Sequence, residues 1–138
     1  MKIEVFQAKD ATLISKADSN HWVVMDSSNQ FGGSEAATKP MEMLLMSLGG
    51  CTGMDVISLL KKMKVDYHDF RIEINGDRGE EYPKPFIRIE LDFYFKGTDL
   101  ESKRDKIEKA VFLSRDKYCG VSAMLSKTAE MVYHIHLE

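Results

Sequence analysis

Cysteine is scarce in this 138-residue chain, which has only Cys51 and Cys119. So wide a separation leaves no C-x-x-C redox pair and no local zinc-ligand spacing. In a reducing cytosol two such thiols are either reactive or inert, not a permanent bridge. Basic charge is not in excess: 19 Lys and Arg face 22 Asp and Glu. That balance gives no electrostatic case for a nucleic-acid partner or an anionic membrane. Long apolar runs are also missing. "MKIEVFQAKD" lacks a signal-peptide core, and no segment reads as the ~20 apolar residues of a membrane span, so a cytoplasmic location is expected. No GxGxxG, P-loop, HExxH or GxSxG pattern occurs, which argues against nucleotide-driven and common hydrolytic chemistry. No cofactor and no metal is expected, and the length suits one domain, residues 1–138.

Glycine, by contrast, is concentrated in one unusual place. The stretch "MSLGGCTGMDVISLL" sets Gly49, Gly50 and Gly53 around Cys51 inside an apolar helical pattern, although glycine weakens a helix interior by about 0.5–1 kcal/mol relative to alanine. Pro40 suits a first helical position and Glu42 its first turn, so a helix is predicted over about 40–64. Its apolar residues cover most of the circumference, as in a central helix enclosed on nearly all sides.

Three short β-prone runs precede it, "KIEVFQA", "ATLISKA" and "HWVVMD", followed by a Ser- and Gly-rich loop. After it, Phe70, Ile72 and Ile74 alternate with polar residues, and Ile87, Ile89, Leu91, Phe93 and Phe95 do the same. Such alternation marks an antiparallel sheet covered on one face. "TDLE" at 98–101 fits a capping box for a helix with Ile107, Ala110, Val111 and Ser114 along one stripe. That helix ends near Cys119, before a helical turn "VSAMLS" and a last strand "EMVYHIHL". The fold class is α+β, an antiparallel sheet wrapped around a central buried helix.

Stripped of side chains, the surface beside Cys51 offers room for another backbone, either the "YCGVS" corner or the same helix of a second subunit. Cys119 lies at a helix N-terminus, where the dipole favours thiolate. On this reading the two cysteines meet in space; the alternative is that both are inert, buried apolar residues. His134 and His136 point to one strand face without an evident third metal ligand, and His21 and His68 read as solvated.

"KPMEMLLMSLGGCTGMDV" and "KYCGVSAML" together resemble the OsmC/Ohr family of hydroperoxide-resistance proteins over essentially the whole chain. The resemblance implies an intertwined homodimer with swapped N-terminal strands and sites at the subunit interface. It implies reduction of organic hydroperoxides: Cys51 attacks and becomes a sulfenic acid, Cys119 resolves it to a disulfide, and a dithiol of lipoyl or thioredoxin type reduces that. Family members pair the thiolate with an arginine from the N-terminal strands, oriented by a helix glutamate. Here the first arginine is Arg71, and Met41 stands at the glutamate position. Lys16 or His21 is the candidate cation and Glu42 the displaced carboxylate. The alternative function is a non-catalytic dimer that binds an apolar ligand or senses redox state.

Overall fold

The computed structural model describes all residues, Met1–Glu138, and divides into two compact units, Met1–Leu44 and Leu45–Glu138. The first unit is a meander of β1 (Ile3–Lys9), β2 (Thr12–Ala17) and β3 (Trp22–Met25), each antiparallel to the next. All three predicted strands are present within a residue or so.

This sheet buries almost nothing. Ile3, Val5, Phe6, Trp22, Val23 and Val24 are exposed, and its buried positions are polar, Ser15 and Asp26. Asp26 organises the loop that follows. Its carboxylate accepts from Ser34 Oγ at 2.7 Å, Ala36 N at 3.0 Å and Ser27 N at 2.7 Å. These bonds, that from the Ser34 hydroxyl foremost, hold the carboxyl far below the ordinary aspartate value. The stretch read from sequence as a plain loop is therefore pinned to one buried charge.

A pH dependence follows. The folded pKa lies below the unfolded value of about 3.9, so the stabilisation is fully present above that value and lost as pH falls toward the folded pKa. Asp26→Asn should lower the urea midpoint at neutral pH, and its deficit relative to wild type should shrink below about pH 4. A deficit that stays constant down to the most acidic measurable condition would refute this.

Helix α1 spans Pro40–Lys62, with Glu42 in its first turn and Lys61 and Lys62 in its last. The second unit contains β4 (Asp69–Arg78), β5 (Phe86–Lys96), α2 (Arg104–Leu113), α3 (Gly120–Leu125) and β6 (Glu130–Leu137). β5 is the central strand, and Ile89, Leu91, Phe93 and Phe95 are fully buried. Phe70 stacks on Phe95 with ring centroids 4.7 Å apart. The core of this unit also contains Leu48, Val56 and Leu60 of α1 and Ile107, Ala110 and Val111 of α2, all 0% exposed. The α2 stripe is the one the sequence predicts.

Four expectations need correction. β6 runs parallel to β5, so the second sheet is mixed and not wholly antiparallel. The connection through α2 and α3 crosses over the sheet, as a parallel neighbour requires. At the start of β5 the alternation inverts: Phe86 is buried and Ile87 exposed, because the register shifts where Arg78 pairs with Phe86. The capping box does not form. Ser102 Oγ bonds to Asp99, and Glu101 makes a two-pronged pair with Arg104 at 2.7 and 2.8 Å.

The fourth concerns α1, which is buried along one stripe only, Leu48, Thr52, Val56 and Leu60 with Gly53 beside it. Met46, Met54 and Ile57 are 61%, 74% and 45% exposed within the chain. By length and composition alone α1 is apolar enough to cross a membrane. A count of uninterrupted apolar runs misses this, since its glycine, serine and threonine residues add little polarity to the average.

Candidate active site

Cys51 and Asp55 stand four residues apart on α1, and therefore on one face of the helix. Cys119 reaches the same place from a different element. After α2 the helix widens into a π-turn, Ser114–Tyr118, closed by a bond from Cys119 N to the Ser114 carbonyl at 2.8 Å. Cys119 then serves as N-cap of α3, its sulfur accepting from Ser122 N at 3.3 Å. Thr52 Oγ donates to the same sulfur at 3.4 Å, and Ser114 Oγ donates to Asp55 at 2.9 Å. The sulfur atoms of Cys51 and Cys119 and a carboxylate oxygen of Asp55 all lie within 4.8 Å of one another.

The two thiols do meet, but the glycines are not the reason. A Cβ on Gly49 would stand 3.0 Å from Ile74 Cδ1, and one on Gly53 would touch Ile72 and Phe70. Both glycines let the β4 side chains pack close. Cys51 is two residues from each, about 200° around the helix, on the side that Cys119 approaches. Gly50 faces open space.

The electrostatics differ from a simple activated thiol. Burial pushes the Cys51 pKa above its ordinary value. The Cys119 thiol and the charge of Asp55 push the same way, while a bond from the Val121 N–H opposes them. The charged neighbours felt by Cys51 are thus anion-forming. Cys51 is half-buried, whereas Cys119 is 2% exposed.

Sequence reasoning found both thiols but assigned no role to Thr52, Asp55, Ser114 and Ser122. The available signals were Asp55 one turn after Cys51 and a serine placed in the apolar stripe of α2. Ser122 is held in turn by Tyr133, hydroxyl to hydroxyl at 2.9 Å.

A family model described as "OsmC-like protein" matches residues 32–133, which include both cysteines. This chain belongs to the OsmC-like family. It is 35% identical to Protein YhfA of Escherichia coli strain K12 over 133 residues, covering 96% of this chain and 95% of that protein. A hypothetical protein from Aquifex aeolicus VF5 superposes with a TM-score of 0.83 at 29% identity, covering 99% of this chain and 95% of the other. The organic hydroperoxide resistance protein OsmC from Legionella pneumophila gives a TM-score of 0.70 at 12% identity, covering 98% and 95%. That last likeness is one of fold.

The remaining candidates of the OsmC-like chain have local partners. Lys16 Nζ lies 5.2 Å from the centre of the Trp22 ring, and His21 Nδ1 donates to the Ser19 carbonyl at 2.8 Å. Glu42 accepts from Lys39 N at 2.9 Å, ahead of the first turn of α1. His134 and His136 share a face of β6, as expected, and each meets its own carboxylate: Glu90 at 2.6 Å and Asp92 at 2.7 Å.

Proposed function

We propose that this OsmC-like protein is a thiol-dependent peroxidase that reduces organic hydroperoxides, acting as a homodimer with a dithiol as reductant. The observation that carries the reading is the juxtaposition of two sulfurs, one half-open and one buried, within 4.8 Å. The Cys51 thiolate attacks the distal peroxide oxygen, the O–O bond breaks, and the alkoxide leaves as an alcohol after taking a proton. Cys51 is then a sulfenic acid. Cys119 attacks its sulfur, expelling water and closing a disulfide. A dithiol restores both thiols and leaves as its own disulfide. The sulfurs must close to about 2.05 Å, and Cys119, at a junction between helical segments, is placed to travel.

Apolar surface supports the dimer. Met46, Met54 and Ile57 line an exposed face of α1 that Gly50 leaves without a side chain, and the β1–β3 sheet exposes six large apolar residues. A second copy covering these faces accounts for an apolar helix that one chain leaves half uncovered. Sedimentation should give twice the 15.7 kDa chain mass, and Met54→Arg should shift the protein toward monomer; a monomeric wild type refutes the dimer.

The raised Cys51 pKa favours a second reading, a non-catalytic dimer that senses redox state or holds an apolar ligand. Intact mass after mild treatment with an organic hydroperoxide, read beside turnover, separates the two. Loss of two hydrogens per chain together with repeated consumption of hydroperoxide and dithiol supports the peroxidase. The same loss without turnover favours a redox sensor, and an unchanged mass overturns the peroxidase and favours a dimer that holds an apolar ligand.

A further inference from the structure

We propose that Cys51, Asp55 and Cys119 form a binding site for a thiophilic divalent cation, with zinc the best match. The three donor atoms, two sulfurs and one carboxylate oxygen, already lie within 4.8 Å of one another. Tetrahedral zinc with bonds of about 2.3 Å to sulfur and about 2.0–2.2 Å to oxygen needs its donors roughly 3.5–3.8 Å apart. A contraction of about 1 Å brings them there, and it involves side chains on one helix face and one helix junction. Sequence spacing excludes a local zinc motif; the fold assembles one from α1 and the N-cap of α3.

The donors are also oriented as metal ligands are. Ser114, fully buried, donates its hydroxyl to Asp55 Oδ2. Thr52 and Ser122, also buried, donate to Cys119 Sγ, and the Val121 N–H donates to Cys51. Outer groups of this kind fix ligand direction and support the anionic form that a metal binds. Two sulfurs and one oxygen select zinc over magnesium or calcium, which prefer all-oxygen sites. Cys51 and Asp55 are only half-buried, which leaves an entry path and room for a fourth ligand such as water. The site accepts a cation where three anion-forming groups converge.

This inference shares its residues with the peroxidase reading but does not depend on it. The test uses the full-length, fully reduced chain, freed of metal, and titrates Zn²⁺ against a chromophoric chelator. A parallel titration with Co²⁺ reads the near-ultraviolet thiolate-to-cobalt absorption. One equivalent per chain is expected, with that absorption present. Cys51→Ser and Cys119→Ser should each weaken binding at least about tenfold, and Ser114→Ala about tenfold at unchanged circular dichroism. Three results overturn the proposal: no zinc binding by wild type, a cobalt adduct without thiolate absorption, or binding that survives both cysteine substitutions and is lost on His134→Ala with His136→Ala. Zinc binding without hydroperoxide turnover would support this site and sink the peroxidase.

Discussion

Cys51→Ser is expected to abolish dithiol-supported turnover of an organic hydroperoxide, with a fall of more than about a thousandfold, the scale on which loss of a covalent nucleophile acts. A serine hydroxyl is far harder to ionise than a thiol and yields no sulfenic acid, so the first step has no substitute. Cys119→Ser should behave differently. Its Cys51 is still oxidised by one equivalent of hydroperoxide and gains one oxygen, but no disulfide forms and steady-state turnover falls at least about tenfold. Cys119 is 2% exposed, with its sulfur engaged by Thr52 and Ser122, which makes it a poor first target for a peroxide and a suitable second partner for Cys51. Coupled consumption of the dithiol, followed by mass spectrometry of the unreacted and oxidised chains, reads both variants. Wild-type rates in Cys51→Ser would overturn the reading.

The second large effect concerns the support beneath the site. Phe93 is fully buried on the central strand and stacks on Tyr133 with centroids 6.2 Å apart and planes within 15°. Tyr133 in turn holds Ser122, whose amide holds the Cys119 sulfur. Phe93→Ala removes a whole ring from a packed interior and should cost about 3–5 kcal/mol. In a chain of this size that lowers the midpoint of thermal unfolding by roughly 10–17 °C. Far-ultraviolet circular dichroism on heating, with Arg71→Ala as an exposed control, measures it. A loss under about 1 kcal/mol, the size of an ordinary surface change, would mean that β5 is not the centre of the core.

Much of this was legible in the residues themselves. Pro40 marked the start of α1, alternation marked β4 and most of β5, and the α2 stripe named Ile107, Ala110, Val111 and Ser114. The pairing of Cys51 with Cys119 was legible too, although the glycines offered as its cause serve β4 instead. What escaped follows from what a pattern encodes. Alternation reports which face of a strand is dry but not its direction, so parallel β6 was invisible. An inserted residue at Ile87 inverts a face without leaving a mark in composition. The helix-wide apolarity of α1 signals a helix enclosed on most sides, but hydrophobicity alone cannot say which molecule does the burying. Thr98 and Glu101 spelled a capping box, but Arg104 takes the Glu101 carboxylate that the box would need.

The widened turn before Cys119 bears on how a buried sulfur can be mobile in a firm scaffold. In a regular helix each amide is tied to the carbonyl four residues back, and moving one residue breaks that ladder. Between Ser114 and Cys119 the tie already spans five residues, so the register there has slack built in. Displacement of the sulfur is then absorbed by a loosened coil one turn long, and the apolar stripe of α2 that anchors the interior stays where it is.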